Sequence, residues 1–127
     1  MGNPVVHFEV MGKDAAALSA FYASAFDWKM TASPGAGGAT YNIAEPQSFV
    51  PTMPGIDGGI GAVNGYGGHV TFYIMVNDIA DALAKVERLG GKTMMPADAV
   101  PGGPTIALFA DPEDHVVGLI EAKSVVR

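Results

Sequence analysis

The stretch Val5-Val6-His7-Phe8-Glu9-Val10-Met11-Gly12-Lys13-Asp14, continuing from Ala15 to Trp28, changes its hydrophobic period part-way along. From Val5 to Met11 apolar and polar residues alternate and β-branched and aromatic types prevail, which predicts a strand. Residues two apart on a strand share a face. Val6, Phe8 and Val10 therefore form an apolar set, while Val5, His7, Glu9 and Met11 point the other way. After Asp14, a suitable N-cap, Leu18, Phe21, Tyr22, Ala25 and Phe26 recur at helical spacing. This predicts an amphipathic helix whose apolar stripe meets the apolar side of the strand.

The same unit recurs downstream. His69 to Val76 alternates in the same way, with Val70, Phe72, Ile74 and Val76 as the apolar set and His69, Thr71, Tyr73 and Met75 opposite. Asn77 is read as the cap of a second helix, in which Ile79, Ala82, Leu83, Val86 and Leu89 keep helical spacing until Gly90 and Gly91 end it. Three short strands are predicted after each helix, at Trp28 to Thr31, Ala39 to Ala44 and Gly58 to Val63, and then at Lys92 to Met95, Thr105 to Ala110 and Val116 to Glu121. The last two are joined by the turn Asp111-Pro112-Glu113-Asp114, with Pro at its favoured second position and an Asp that tolerates left-handed geometry at its end.

The order β-α-β-β-β thus occurs twice, as a repeat of architecture more than of sequence. Neither half could bury its own apolar sheet face well. The expected fold is therefore α+β, with two β-α-β-β-β modules, about 4–64 and 68–122, forming one domain over residues 1–127: a curved, cup-like mixed sheet with helices outside. The inner face would carry His7, Glu9, His69, Thr71 and Tyr73, a set that is equally compatible with a wet sheet face unless the site is enclosed.

Composition narrows the function. The chain has 127 residues, no Cys and a formal net charge of −6, with 7 basic against 13 acidic residues. Disulfide, thiolate-metal and cysteine-nucleophile chemistry is excluded. No basic cluster suits a nucleic-acid partner, and no apolar run approaches a membrane span or a signal peptide, so a cytoplasmic protein is expected. The 17 Gly and 9 Pro sit within a 49% apolar chain and read as turns between short strands.

Val6-His7-Phe8-Glu9-Val10, then Phe21-Tyr22 and Phe26-Asp27-Trp28, resemble the opening of a vicinal oxygen chelate protein, the superfamily of glyoxalases, bleomycin-resistance proteins and extradiol dioxygenases. The second half agrees through Val76-Asn77-Asp78, Leu89-Gly90-Gly91-Lys92, Phe109-Ala110-Asp111-Pro112 and Leu119-Ile120-Glu121. The resemblance covers nearly the whole chain and implies paired modules around a cup, often as homodimers. In the glyoxalase-like enzymes it also implies a divalent metal held by four side chains, usually His or Gln and Glu.

Of those four positions, the resemblance places His7 on the first, Thr71 and Gly118 on two others, and the remaining one among Gly58-Gly59-Ile60-Gly61. His69 falls roughly 6 to 7 Å along its strand from Thr71. No metal cofactor is expected, although a rearranged site of His7, Glu9 and His69 is the alternative. The leading expectation is a metal-free, glyoxalase-like protein whose cup binds a small organic molecule through His7, Glu9, Thr71 and Tyr73, with Trp28 and Phe49 as aromatic wall, and whether it catalyses a reaction stays open. A metal-dependent lyase, isomerase or dioxygenase is the second reading, and an interaction subunit with a closed cup the third.

Other features are set aside. Gly91-Lys92-Thr93 follows a helix instead of preceding one, so it is no phosphate loop. Gly35 to Gly38 has no helix pattern after it and reads as a flexible loop. No Gly-x-Ser-x-Gly elbow is present, and His115 reads as a surface imidazole beside the Asp-Pro turn. The Pro-rich segment from Glu45 to Gly55 is expected to be a lid, a dimer contact or a disordered surface loop.

Overall fold

The computed structural model describes residues 2–34, 40–46 and 48–125. Its elements run β1 (Val5–Gly12), α1 (Ala15–Phe26), β2 (Met30–Pro34), β3 (Thr40–Ala44), β4 (Asp57–Ala62), β5 (His69–Val76), α2 (Ile79–Arg88), β6 (Lys92–Ala99), β7 (Thr105–Ala110) and β8 (Val116–Glu121), with a short 3-10 turn at Ala122–Ser124. Ala39, the start of one predicted strand, the Gly35 to Gly38 loop and Gln47 within the Pro-rich segment lie outside the described residues. Two compact units result, one of residues 7–70 and one of residues 1–6 with 71–127.

In the first unit the strand order is β2-β3-β4-β1, with β4 parallel to β1 and the others antiparallel. In the second it is β6-β7-β8-β5, with β8 parallel to β5 and the others antiparallel. Each unit therefore carries the same β-α-β-β-β topology, and the predicted architectural repeat holds.

The helices differ from their predicted faces in instructive ways. Asp14 caps α1 as expected, its Oδ1 accepting the Ala17 N–H at 3.0 Å. Yet α1 buries Ala15 and Ser19 and half-buries Leu18, Tyr22 and Ala23, while Phe21 and Phe26 are 59% and 61% exposed. At about 100° per residue Phe21 lies roughly a third of a turn from Ala15, and Phe26 stands at the helix end. Small side chains bring α1 close to β3 and β4, and the Asn42 amide donates to Ser19 Oγ at 2.8 Å across that contact. Asp27 then ends the helix in the left-handed region, φ 58°, a conformation that glycine adopts most readily and Asp tolerates.

The cap of α2 is Asp78 and not Asn77: its Oδ1 accepts the Asp81 N–H at 3.0 Å, because β5 runs through Val76 and leaves Asn77 as the link. Glu121 adds a second cap by accepting the Ile79 N–H at 3.1 Å. Ile79 and Leu83 of α2 pack with Val76, Ala107 and Leu119 into the core of this unit, flanked by Ile74, Ala82 and Phe109. Val70 and Phe72, predicted to face the helix, are exposed instead. A helix of 10 residues, about 15 Å long, packs on β6, β7 and β8. Asp114 takes φ 67° at the predicted turn, closed by the Asp114 N–H to Asp111 carbonyl bond at 2.9 Å.

Candidate functional site

The unit of residues 7–70 gathers a row of polar side chains on one face of its sheet. Alternation on β1 puts His7 and Glu9 on that face, as predicted, and Phe8 on the other. On β4 the corresponding residues are Asp57, Gly59 and Gly61, while Ile60, fully buried, serves the helix side. Gly59 is flanked in register by Glu9 on β1 and Ile43 on β3. Lacking a side chain, it leaves room for Tyr41 of β3 to reach over β4 towards Glu9: a Cβ at position 59 would lie 1.9 Å from the Tyr41 hydroxyl oxygen.

The row is continuous. Asp57 Oδ1 lies 3.3 Å from His7 Nδ1, and His7 Nε2 lies 3.0 Å from the Tyr41 hydroxyl. That hydroxyl donates to Glu9 Oε2 at 2.9 Å. Glu9 Oε1 is 3.1 Å from His69 Nε2, and His69 Nδ1 is 2.8 Å from the Tyr66 hydroxyl. Glu9 is 7% exposed, and an ionised carboxylate so placed is tolerated only with donors around it.

Proton bookkeeping fixes the ring roles, because an ionised carboxylate only accepts. Tyr41 gives its one hydroxyl proton to Glu9, so His7 Nε2 supplies the hydrogen between them. The His7 contact with Asp57 becomes an ion pair when the ring carries both protons. His69 Nε2 supplies the hydrogen to Glu9, and with the ring neutral its Nδ1 accepts from Tyr66. Partial burial first, and then the negative charge of Glu9, raise the Tyr66 phenol above its ordinary pKa, so Tyr66 keeps its proton.

The other predicted contacts have the following surroundings. Thr71 is buried and its hydroxyl donates to the Val116 carbonyl at 2.7 Å. Tyr73 is buried with its ring over Gly118, where a Cβ would lie 2.3 Å from the ring. Trp28 stacks on Tyr22 at 5.1 Å and meets Phe8 at 5.2 Å, on the side of β1 opposite His7 and Glu9. Phe49 is wholly exposed in the Pro-rich segment, which turns back on itself through the Met53 N–H to Val50 carbonyl bond at 2.9 Å. Neither aromatic residue joins the polar row.

Sequence reading missed Tyr41, Asp57 and Tyr66. The run of glycines on β4 was the available signal, since a strand without side chains invites a neighbour to lie across it. His115 bonds Asp111 at the surface, as expected.

A divalent metal needs about three protein donors converging on an open position. Among the described residues no group of three or more His, Cys, Asp or Glu is so arranged. Both Glu9 oxygens face hydrogen donors, and the His7 nitrogens face Tyr41 and Asp57. Tyr41 and Tyr73 occupy the space a side chain at Gly59 or Gly118 would need. The donor set does not fit the metal site that the resemblance implies.

Two β-α-β-β-β modules define the fold of a vicinal oxygen chelate type of protein, and sequence comparison agrees. Residues 5–119 match the Glyoxalase/Bleomycin resistance protein/Dioxygenase superfamily, and the chain belongs to that family. It is 30% identical over 115 residues to "Putative glyoxylase CFP32" of Mycobacterium bovis and of Mycobacterium tuberculosis, an alignment covering 86% of the chain. The chain spans 42% of the length of those relatives.

Among solved structures it resembles a methylmalonyl-CoA epimerase in complex with methylmalonyl-CoA and NH4+, with TM-score 0.65, 13% identity and coverage of 98% and 99% of the two chains. The Streptomyces coelicolor methylmalonyl-CoA epimerase bound to 2-nitronate-propionyl-CoA gives 0.66 at 13% identity, with the same coverage. A hypothetical protein from Bacillus halodurans C-125 gives 0.68 at 14% identity, covering 100% and 99%. These likenesses show the fold: α+β, built of two β-α-β-β-β modules. No helix among the described residues is long and apolar enough to cross a membrane.

Proposed function

We propose that this chain binds a small organic molecule at the His7–Tyr41–Glu9–His69 row, without a divalent metal and without turnover, as a glyoxalase-like sequestering protein. The observation that carries this reading is the engagement of the ligand-type side chains by one another: Glu9 accepts from Tyr41 and faces His69, while His7 lies between Tyr41 and Asp57. Such a row holds polar groups at fixed positions for a ligand to meet. The epimerase named above is in complex with a CoA derivative, which supports a small-molecule ligand as the class. The exposed Phe21 and Phe26 of α1 favour assembly as a homodimer, and a cytoplasmic setting remains the expectation from composition.

Elemental analysis of protein purified without chelator, together with a thermal-shift screen of small organic ligands, tests the proposal. The expected outcome is metal far below stoichiometry and at least one stabilising ligand. At 100 times its dissociation constant such a ligand adds about 2.7 kcal/mol. Near-stoichiometric metal that disappears in His7→Ala would overturn the proposal in favour of a metal-dependent lyase, isomerase or dioxygenase. A protein that binds neither metal nor small molecules would favour the interaction subunit.

A further inference from the structure

We propose that the open depression beside the polar row, lined by Lys13 and by Val63 to Gly67, takes the carboxylate of a flat organic acid, with Lys13 pairing the acid and Tyr66 carrying the ring. The inference deepens the small-molecule reading above and rests on it. The depression offers about 510 Å3 of space and is largely open to solvent, so a ligand would lie against one wall of it.

Its shape comes from glycine. Gly65 and Gly68 adopt φ +87° and +108°, a region that side chains disfavour. A Cβ at Gly68 would lie 2.0 Å from the Met11 carbonyl oxygen, so the segment lies directly against the end of β1. The Val63 N–H donates to the Gly12 carbonyl at 2.8 Å and ties its other end to the same strand. Around Gly65 and Gly67, by contrast, a Cβ would meet nothing within 4 Å. The wall is therefore anchored at both ends and open in its middle.

Charge then selects the ligand. Among the described residues Lys13 is the only formally charged one in the lining, and its ammonium has no hydrogen bond or ion pair among them. The adjacent Asp14 carboxylate caps α1 instead. Tyr66 stacks on His69 with ring centroids 5.9 Å apart and an 8° tilt, yet remains 52% exposed, so it offers a rigid aromatic surface beside a cation. Its phenol stays neutral and adds no negative charge to an anion site. Against a net charge of −6, Lys13 is the formally charged group of the lining that can favour an anion.

Titration by isotope-edited NMR with benzoate, and with benzamide as its uncharged counterpart, tests this. Benzoate should shift the resonances of Lys13 and residues 63–67 and bind about tenfold more tightly than benzamide, the worth of one charge-assisted hydrogen bond. Lys13→Gln, an exposed change whose fold the same spectra verify, should erase that preference and leave benzamide binding unchanged. Tyr66→Leu should weaken both. Equal binding of the two probes, a preference that survives Lys13→Gln, shifts mapped elsewhere, or no benzoate binding would each overturn the inference. If neutral ligands bind and are lost in His7→Ala while benzoate shows no preference, the inference fails and the small-molecule reading stands. Metal held through His7 would defeat that reading, and the benzoate preference would still be measured on the same sample.

Discussion

Replacing Tyr41 by Phe removes one oxygen and leaves the ring where it lies over Gly59. The structure assigns that oxygen to both neighbours, donating to Glu9 Oε2 at 2.9 Å and meeting His7 Nε2 at 3.0 Å. A hydrogen bond to a charged group contributes about 1.5 to 3 kcal/mol, and Glu9 is only 7% exposed, so water replaces the lost donor poorly. Glu9 keeps His69 on its other oxygen, which limits the damage. The expected loss is therefore about 2 to 3 kcal/mol, near the top of the range for a single atom. Urea unfolding should show a lower midpoint at an unchanged slope. A double-mutant cycle with Glu9→Leu, which removes the acceptor, should return a coupling of at least about 1 kcal/mol, since the two residues share a bond. A Tyr41→Phe loss under about 0.5 kcal/mol, with no coupling to Glu9, would refute the claim that a buried carboxylate is held through Tyr41, and the metal-free row would lose its keystone.

At Gly118 an added methyl would enter the Tyr73 ring, 2.3 Å from its Cδ2, so Gly118→Ala should cost about 1 to 3 kcal/mol by overpacking, and a midpoint equal to that of the parent would show the ring to be loosely held. At the β7–β8 turn, the Asp111 pKa is lowered, first by the His115 backbone N–H and further by the Glu113 N–H and the His115 ring, against a smaller opposing desolvation. A depressed folded-state carboxylate stabilises above its unfolded pKa and loses that contribution as pH falls through the folded value. The stability gap between the parent and Asp111→Ala should therefore be full at pH 6 and shrink below about pH 4, as read by urea unfolding at a series of pH values, and a gap that widens on acidification would contradict this assignment.

Period and punctuation made much of this protein legible from its residues. Alternation over Val5 to Met11 and His69 to Val76, helical spacing after Asp14, and the Asp-Pro turn at 111–114 each depend on neighbours within a few residues, so local sterics and hydrogen bonding suffice to predict them. The observed β1, β5, β7 and β8 match those predictions closely, and His7 and Glu9 share a face as alternation demands. Local rules also carried Asp114 into its left-handed turn, whereas Asp27, equally left-handed, was not foreseen.

What local rules missed was anything decided by the far side of a contact. The apolar stripe of α1 included Phe21 and Phe26 by periodicity, but close approach to the sheet selected Ala15 and Ser19. Trp28 went to the aromatic packing around Phe8, and Thr71 spent its hydroxyl on the carbonyl of Val116. The polar row itself required a glycine on β4, a tyrosine on β3 and a histidine at the start of β5 to converge on one carboxylate of β1. Those residues lie 32 and 60 positions from Glu9 in the bonds they make, and the sequence records no distance across a sheet. Chain neighbours determined which element each residue entered; strand pairing, by placing a residue without a side chain between two with long ones, decided which groups could touch.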